Sequence, residues 1–151
     1  MNKKKNTKKS QNNFEIFLPE NKSAKELSLI NENISAGFPS PAEDYVDQIL
    51  DLNEYMIKNL STTFLIRVSG DSMINAGIYN GDILVVDRSL EPANNKIIIG
   101  VIDGEFLVKR IIKKSGKLFL EAENDMFKPI EINSDSDFKV WGVVTFAIHK
   151  F

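Results

Sequence analysis

The chain has no cysteine, a single histidine, a single tryptophan and only five prolines among its 151 residues. Without cysteine there is no disulfide framework, no thiol nucleophile and no thiolate zinc site. The one histidine, His149, stands two residues from the end. A histidine-rich metal site, or a Ser-His-Asp arrangement within one chain, therefore has almost nothing to build on. No apolar run approaches the ~20 residues that span a bilayer. The lysine-rich opening is not followed by the apolar segment that a secretory signal requires. The expectation is a soluble, cytoplasmic protein.

What is present is 42% hydrophobic and 26% charged residues, enough for one globular domain with appendages. The charge is unevenly placed. Lys3, Lys4, Lys5, Lys8 and Lys9 make the first nine residues strongly basic, leaving 14 basic against 21 acidic residues in the remainder. The opening has almost nothing to bury, which predicts disorder. It reads either as a solubilising tail or as an arm for nucleic acid, since clustered lysines release counterions from phosphates. The acidic body argues against a DNA-binding domain proper.

From Phe14 to about Pro41 large apolar residues are sparse, and the stretch reads as an extended arm with a short strand. Tyr45, Val46, Ile49 and Leu50 suggest one turn of helix. Asp51 and Glu54 have capping-box spacing and predict a short helix over about 51–59, with Leu52, Tyr55, Met56 and Leu60 as its buried stripe. Beyond Leu60 the chain reads as strands: 62–68, 82–87, 96–102, 105–112, 117–122 and 138–148, rich in β-branched and aromatic residues. Asp103-Gly104 and Ser115-Gly116 are hairpin-turn signals, and Asn80-Gly81 marks a further turn. The fold class is mainly β, a curled antiparallel domain with one short helix and an extended N-terminal arm.

Two segments bear on chemistry. In Val68-Ser69-Gly70-Asp71-Ser72-Met73 a strand runs into a glycine turn that presents the Ser72 hydroxyl near backbone amides, the layout of an acyl-transfer nucleophile with its oxyanion hole. An ordinary serine turn has the same string. A serine nucleophile needs a base, and with His149 at the terminus the remaining option is a lysine made neutral by burial. Period-two alternation puts Lys109 on one face of its strand with Leu107 and Ile111, and Arg110 on the other with Val108 and Ile112. Guanidinium cannot be deprotonated in a protein, so only Lys109 could serve. A lysine that snorkels from a half-exposed strand fits the same pattern.

Taken together, these segments resemble the LexA/UmuD family of self-cleaving serine–lysine peptidases, and most closely its UmuD branch. The resemblance is carried by Ala36-Gly37-Phe38-Pro39-Ser40-Pro41-Ala42, Asp44-Tyr45-Val46, Asp51-Leu52-Asn53, Ser69-Gly70-Asp71-Ser72-Met73-Ile74, Val85-Val86-Asp87, Asp103-Gly104-Glu105-Phe106, Val108-Lys109 and Gly142-Val143-Val144. It implies Ser72 as nucleophile, Lys109 as general base, the amides of Asp71 and Ser72 as oxyanion donors, and Ala36–Gly37 as the scissile bond. Residues 1–36 would then be a basic leader and regulatory arm, and 37–151 the peptidase core.

The resemblance further implies a homodimer of the SOS response. Its cleavage would be stimulated by a RecA filament on single-stranded DNA, and its cleaved form would act with a UmuC-type polymerase in translesion synthesis. No cofactor is implied. The 36 residues before the scissile bond are too few for the helix-turn-helix module of a LexA repressor. The rival readings are a LexA-like or phage regulator without its DNA-binding domain, a signal peptidase lacking its anchor, and a non-catalytic module that docks to a polymerase.

Overall fold

The structure is a computed structural model and describes residues 15–17, 27–30 and 47–151. The strands among them are β1 (Glu15–Phe17), β2 (Leu27–Ile30), β3 (Asp47–Leu50), β4 (Thr63–Arg67), β5 (Ile83–Asp87), β6 (Ile97–Ile102), β7 (Glu105–Lys114), β8 (Lys117–Glu121), β9 (Ile130–Ile132) and β10 (Phe138–Ile148). One helix, α1 (Leu52–Met56), and a 3-10 turn at Ile74–Ala76 complete the set. The chain forms two compact units, one of β1 with the residues from Asn59 onward, the other of β2, β3 and α1.

In the larger unit the strands form one antiparallel sheet in the order β1-β4-β5-β10-β6-β7-β8-β9. The mainly β, antiparallel class expected from the sequence is what is found. Alternation along β6, β7 and β10 feeds two apolar clusters. Ile98 and Ile99 are neighbours on β6 and both fully buried, yet Ile99 joins Ile66, Met73, Leu84, Val86 and Val108, while Ile98 joins Ile111, Leu120 and Val143. Each such side chain contributes ~1.5–3 kcal/mol on burial.

The sheet curls, and β10 is where its pairing is interrupted. Its register shifts between Val140 and Gly142 against β6 and between Val144 and Phe146 against β5. Irregularities of this kind sharpen the local twist. Gly142 lies between the two, and a Cβ there would stand 2.6 Å from Val86 Cγ1, so the strand passes its neighbour only without a side chain. The hairpin joining β6 to β7 turns on Asp103 and Gly104, both at positive φ as an inverse-handed turn requires.

The smaller unit departs from expectation twice. Residues 47–50 form a strand where one turn of helix is the sequence reading. Leu27 and Ser28 pair with Leu50 and Ile49, and a ladder partner outweighs a helical nucleus that is costly to form. The helix does start at Asp51, whose carboxylate accepts from the amides of Asn53 (2.8 Å) and Glu54 (3.3 Å). It ends at Met56, however, and Leu52, Tyr55 and Leu60 are exposed. Five residues are too few to turn a stripe inward, so the cap and not burial defines this helix.

Candidate active site

β4 and β7 stand four positions apart in the sheet, about 19 Å if it were flat. Curl and a long excursion close that gap. After β4 the chain leaves the sheet at Val68, runs through the 3-10 turn and returns at Asp82. The two ends of the excursion are stitched by Val68 N–H to Asp82 O (2.8 Å) and Gly81 N–H to Val68 O (2.9 Å). Gly70, at φ +97°, donates to Asn80 Oδ1 at 3.0 Å, in a backbone conformation that L side chains rarely adopt. Met73 and Ile78 are buried in the cluster that also contains Val108 of β7. They pin the excursion over the middle of β7.

That packing sets Ser72, half-buried, beside Lys109. The Lys109 Nζ lies 3.0 Å from Ser72 Oγ and 3.1 Å from the carbonyl oxygen of Val108. Lys109 pairs across the ladder with fully buried Ile98. Among the described residues no carboxylate lies within ion-pair distance of the amine, and the exposed Phe127 ring stands 5.7 Å from it. Burial therefore acts on the charge uncompensated and pulls the Lys109 pKa below its usual 10.5. An amine that more readily sheds its proton, within reach of a hydroxyl, can act as a base toward it.

The sequence reading missed Asn124. It is buried, and its Nδ2 donates to the Asp71 carbonyl at 2.8 Å, while its Oδ1 accepts from the Met126 amide at 3.0 Å. Nearby, Asn75 N–H donates to Glu123 O at 2.8 Å, so the loop after β8 is laced to the serine turn at two points. In a planar trans peptide the carbonyl and the following N–H point in opposite directions. Fixing the Asp71 carbonyl toward Asn124 thus aims the Ser72 amide away from it. Among the described residues, the amides of Asp71 and Ser72 meet no acceptor. An asparagine in the polar stretch that follows the strand ending at Glu121 is the one local signal that could have pointed here, and it is weak.

Other candidates sit apart. His149 Nδ1 lies 2.6 Å from Asp82 Oδ1, and its ring meets Tyr79 at a tilt and Phe151 edge to face, so it fastens the end of the chain to the turn before β5. Arg110 pairs with Glu123. Among the described residues no group of His, Asp or Glu is arranged to hold a metal ion, and no helix is long and apolar enough to cross a membrane. Ala36, Gly37 and the lysines of the opening lie outside the described residues.

A curled β-domain with a serine turn and a half-buried lysine defines a class, and comparison with known proteins gives it a family. Residues 28–145 match the family model described as Peptidase S24-like, and the chain belongs to that family. Among its relatives, Protein ImpA of Salmonella typhimurium is 44% identical over 81% of this chain and 83% of its own length. Protein MucA of Escherichia coli is 42% identical over 78% and 80%, respectively. The LexA repressor of Clostridioides difficile is 38% identical over 80% of this chain but only 56% of the repressor. The resemblance to the LexA/UmuD peptidases drawn from the separated motifs is borne out.

Proposed function

We propose that the chain is a self-cleaving serine peptidase in which Ser72 is the nucleophile and Lys109 the general base, acting on the Ala36–Gly37 bond. The observation that carries this reading is the 3.0 Å separation of Nζ and Oγ at an amine whose charge is disfavoured by burial. Neutral Lys109 takes the proton of the Ser72 hydroxyl as Oγ attacks the Ala36 carbonyl carbon. The amides of Asp71 and Ser72 hold the oxyanion. As the carbon–nitrogen bond breaks, Lys109 returns the proton to the Gly37 nitrogen, leaving an ester between Ser72 and Ala36. Water, deprotonated by the same amine, hydrolyses that ester and restores the hydroxyl.

The products are the leader and arm, 1–36, and a core beginning at Gly37. By its resemblance to the UmuD branch, the protein acts in the cytoplasm as a homodimer of the SOS response. A RecA filament on single-stranded DNA favours the state with the arm docked, and the cleaved form works with a UmuC-type polymerase in translesion synthesis. Such a trigger is a population shift, because a permanently docked arm would be cut at once.

The test is intact-mass measurement of the purified chain at neutral and alkaline pH, and with RecA filaments. A new N-terminus at Gly37 that is lost in Ser72→Ala is expected. A wild-type chain left whole under all three conditions refutes the peptidase and leaves the docking role.

A further inference from the structure

β4 lies second from one edge of the large sheet, and the strand outside it, β1, has only three residues. Ile16 is opposite Ile66 and Phe17 opposite Leu65. Ile16 packs against the cluster that contains buried Ile66, and the Arg67 guanidinium stands 5.7 Å from the centre of the Phe17 ring. The edge of β4 thus reads an extended backbone that presents an aliphatic side chain and then an aromatic one. Without β1 that edge would be hazardous. Phe64, Leu65 and Ile66 follow one another along it, with no lysine, proline or bulge of the kind that blunts natural sheet edges.

We propose that the outer edge of β4 is a strand-docking site, held in the intact chain by residues 15–17 and opened to a protein partner once the severed leader has detached. The partner contributes an extended segment in which an aliphatic residue precedes an aromatic one, adding to the sheet by strand pairing. The site itself stands on the β1–β4 pairing, and only its trigger rests on the scission proposed above. While joined to the chain, β1 is present at an effective concentration of about millimolar. Cut from the core, the leader keeps its β2–β3 ladder as a tether, and once that ladder unzips it is diluted to the concentration of the protein. A three-residue strand then loses the advantage that kept competitors away.

The absence of cysteine makes disulfide trapping clean. A full-length chain bearing Leu65→Cys and Ser72→Ala is mixed in a glutathione buffer with a synthetic peptide of residues 13–19 carrying Phe17→Cys. Arg67→Cys with a Glu15→Cys peptide is a second pair that retains Phe17 and alters an exposed position of the chain. Little mixed disulfide is expected while β1 is seated. At least tenfold more is expected when Ile16→Asp in the chain unseats it, and none of that gain with a peptide that itself carries Ile16→Asp. Equal trapping by seated and unseated chains, or by the aspartate peptide, overturns the proposal. Trapping by unseated chains, beside a wild-type chain that never severs, upholds the docking edge and refutes only the scission.

Discussion

Replacing Lys109 by methionine keeps the length of the side chain and removes the amine, which separates packing from proton transfer. A lysine at its usual 10.5 is neutral in about one molecule in a thousand near pH 7.5, and each unit by which burial lowers the pKa multiplies that fraction tenfold. If Lys109 is the base, the logarithm of the wild-type cleavage rate rises with unit slope in pH and levels off below 10.5. Lys109→Met then loses about 10²–10⁴-fold in rate, and its profile is flat across that range.

Intact mass spectrometry of samples held between about pH 7 and pH 11 reads both quantities. Urea melts supply an independent check. The unfolded chain holds this proton more tightly than the folded one, so wild-type stability rises with pH through the interval from the folded pKa to the unfolded one. The Lys109 contribution is complete above the unfolded value and is lost as pH falls through the folded value. Lys109→Met lacks that slope. A methionine variant that cleaves at the wild-type rate, or with the same inflection, refutes the assignment.

Asn124→Ala frees the Asp71 carbonyl and is expected to slow cleavage by about ten- to a hundredfold through a misaimed oxyanion donor. Its pH inflection should stay at the wild-type position, which a general loss of fold would not preserve. Gly142→Ala drives a Cβ against Val86 and should cost ~1–3 kcal/mol, read as a lower thermal midpoint. Burial pushes the Asp87 carboxyl up, but the Ser89 amide and hydroxyl with the Thr62 hydroxyl together hold it below its usual 3.8. Asp87 therefore stabilises above the unfolded value, and that support is lost as pH falls through the folded one. Asp87→Asn should flatten the acid limb of the stability curve measured by urea melts.

Much of the large sheet was legible because its strands are short runs of β-branched and aromatic residues punctuated by Asp103-Gly104 and Ser115-Gly116. Ser72 and Lys109 could each be singled out from local pattern, by a glycine turn and by the one titratable base on an aliphatic strand face. Their distance could not, since it depends on the curl at β10 and on how Met73 and Ile78 seat the excursion. Asn124 was invisible for a related reason, its partner being 53 residues away in sequence. β9 has three residues and carries too little periodicity to read. Around the short helix, capping was readable at Asp51 and burial was not, because a stripe of Leu52, Tyr55, Met56 and Leu60 says nothing about whether anything covers it.

β2 ends at Ile30 and β3 begins at Asp47, so the hydrolysis proposed between residues 36 and 37 would fall, along the chain, between two strands zipped to each other. Breaking the covalent link would leave both new ends held by the same ladder. Chemistry and detachment thereby become consecutive clocks. The second would run at the pace of unzipping, with β2 still paired to β3 in a nicked molecule until that clock runs out.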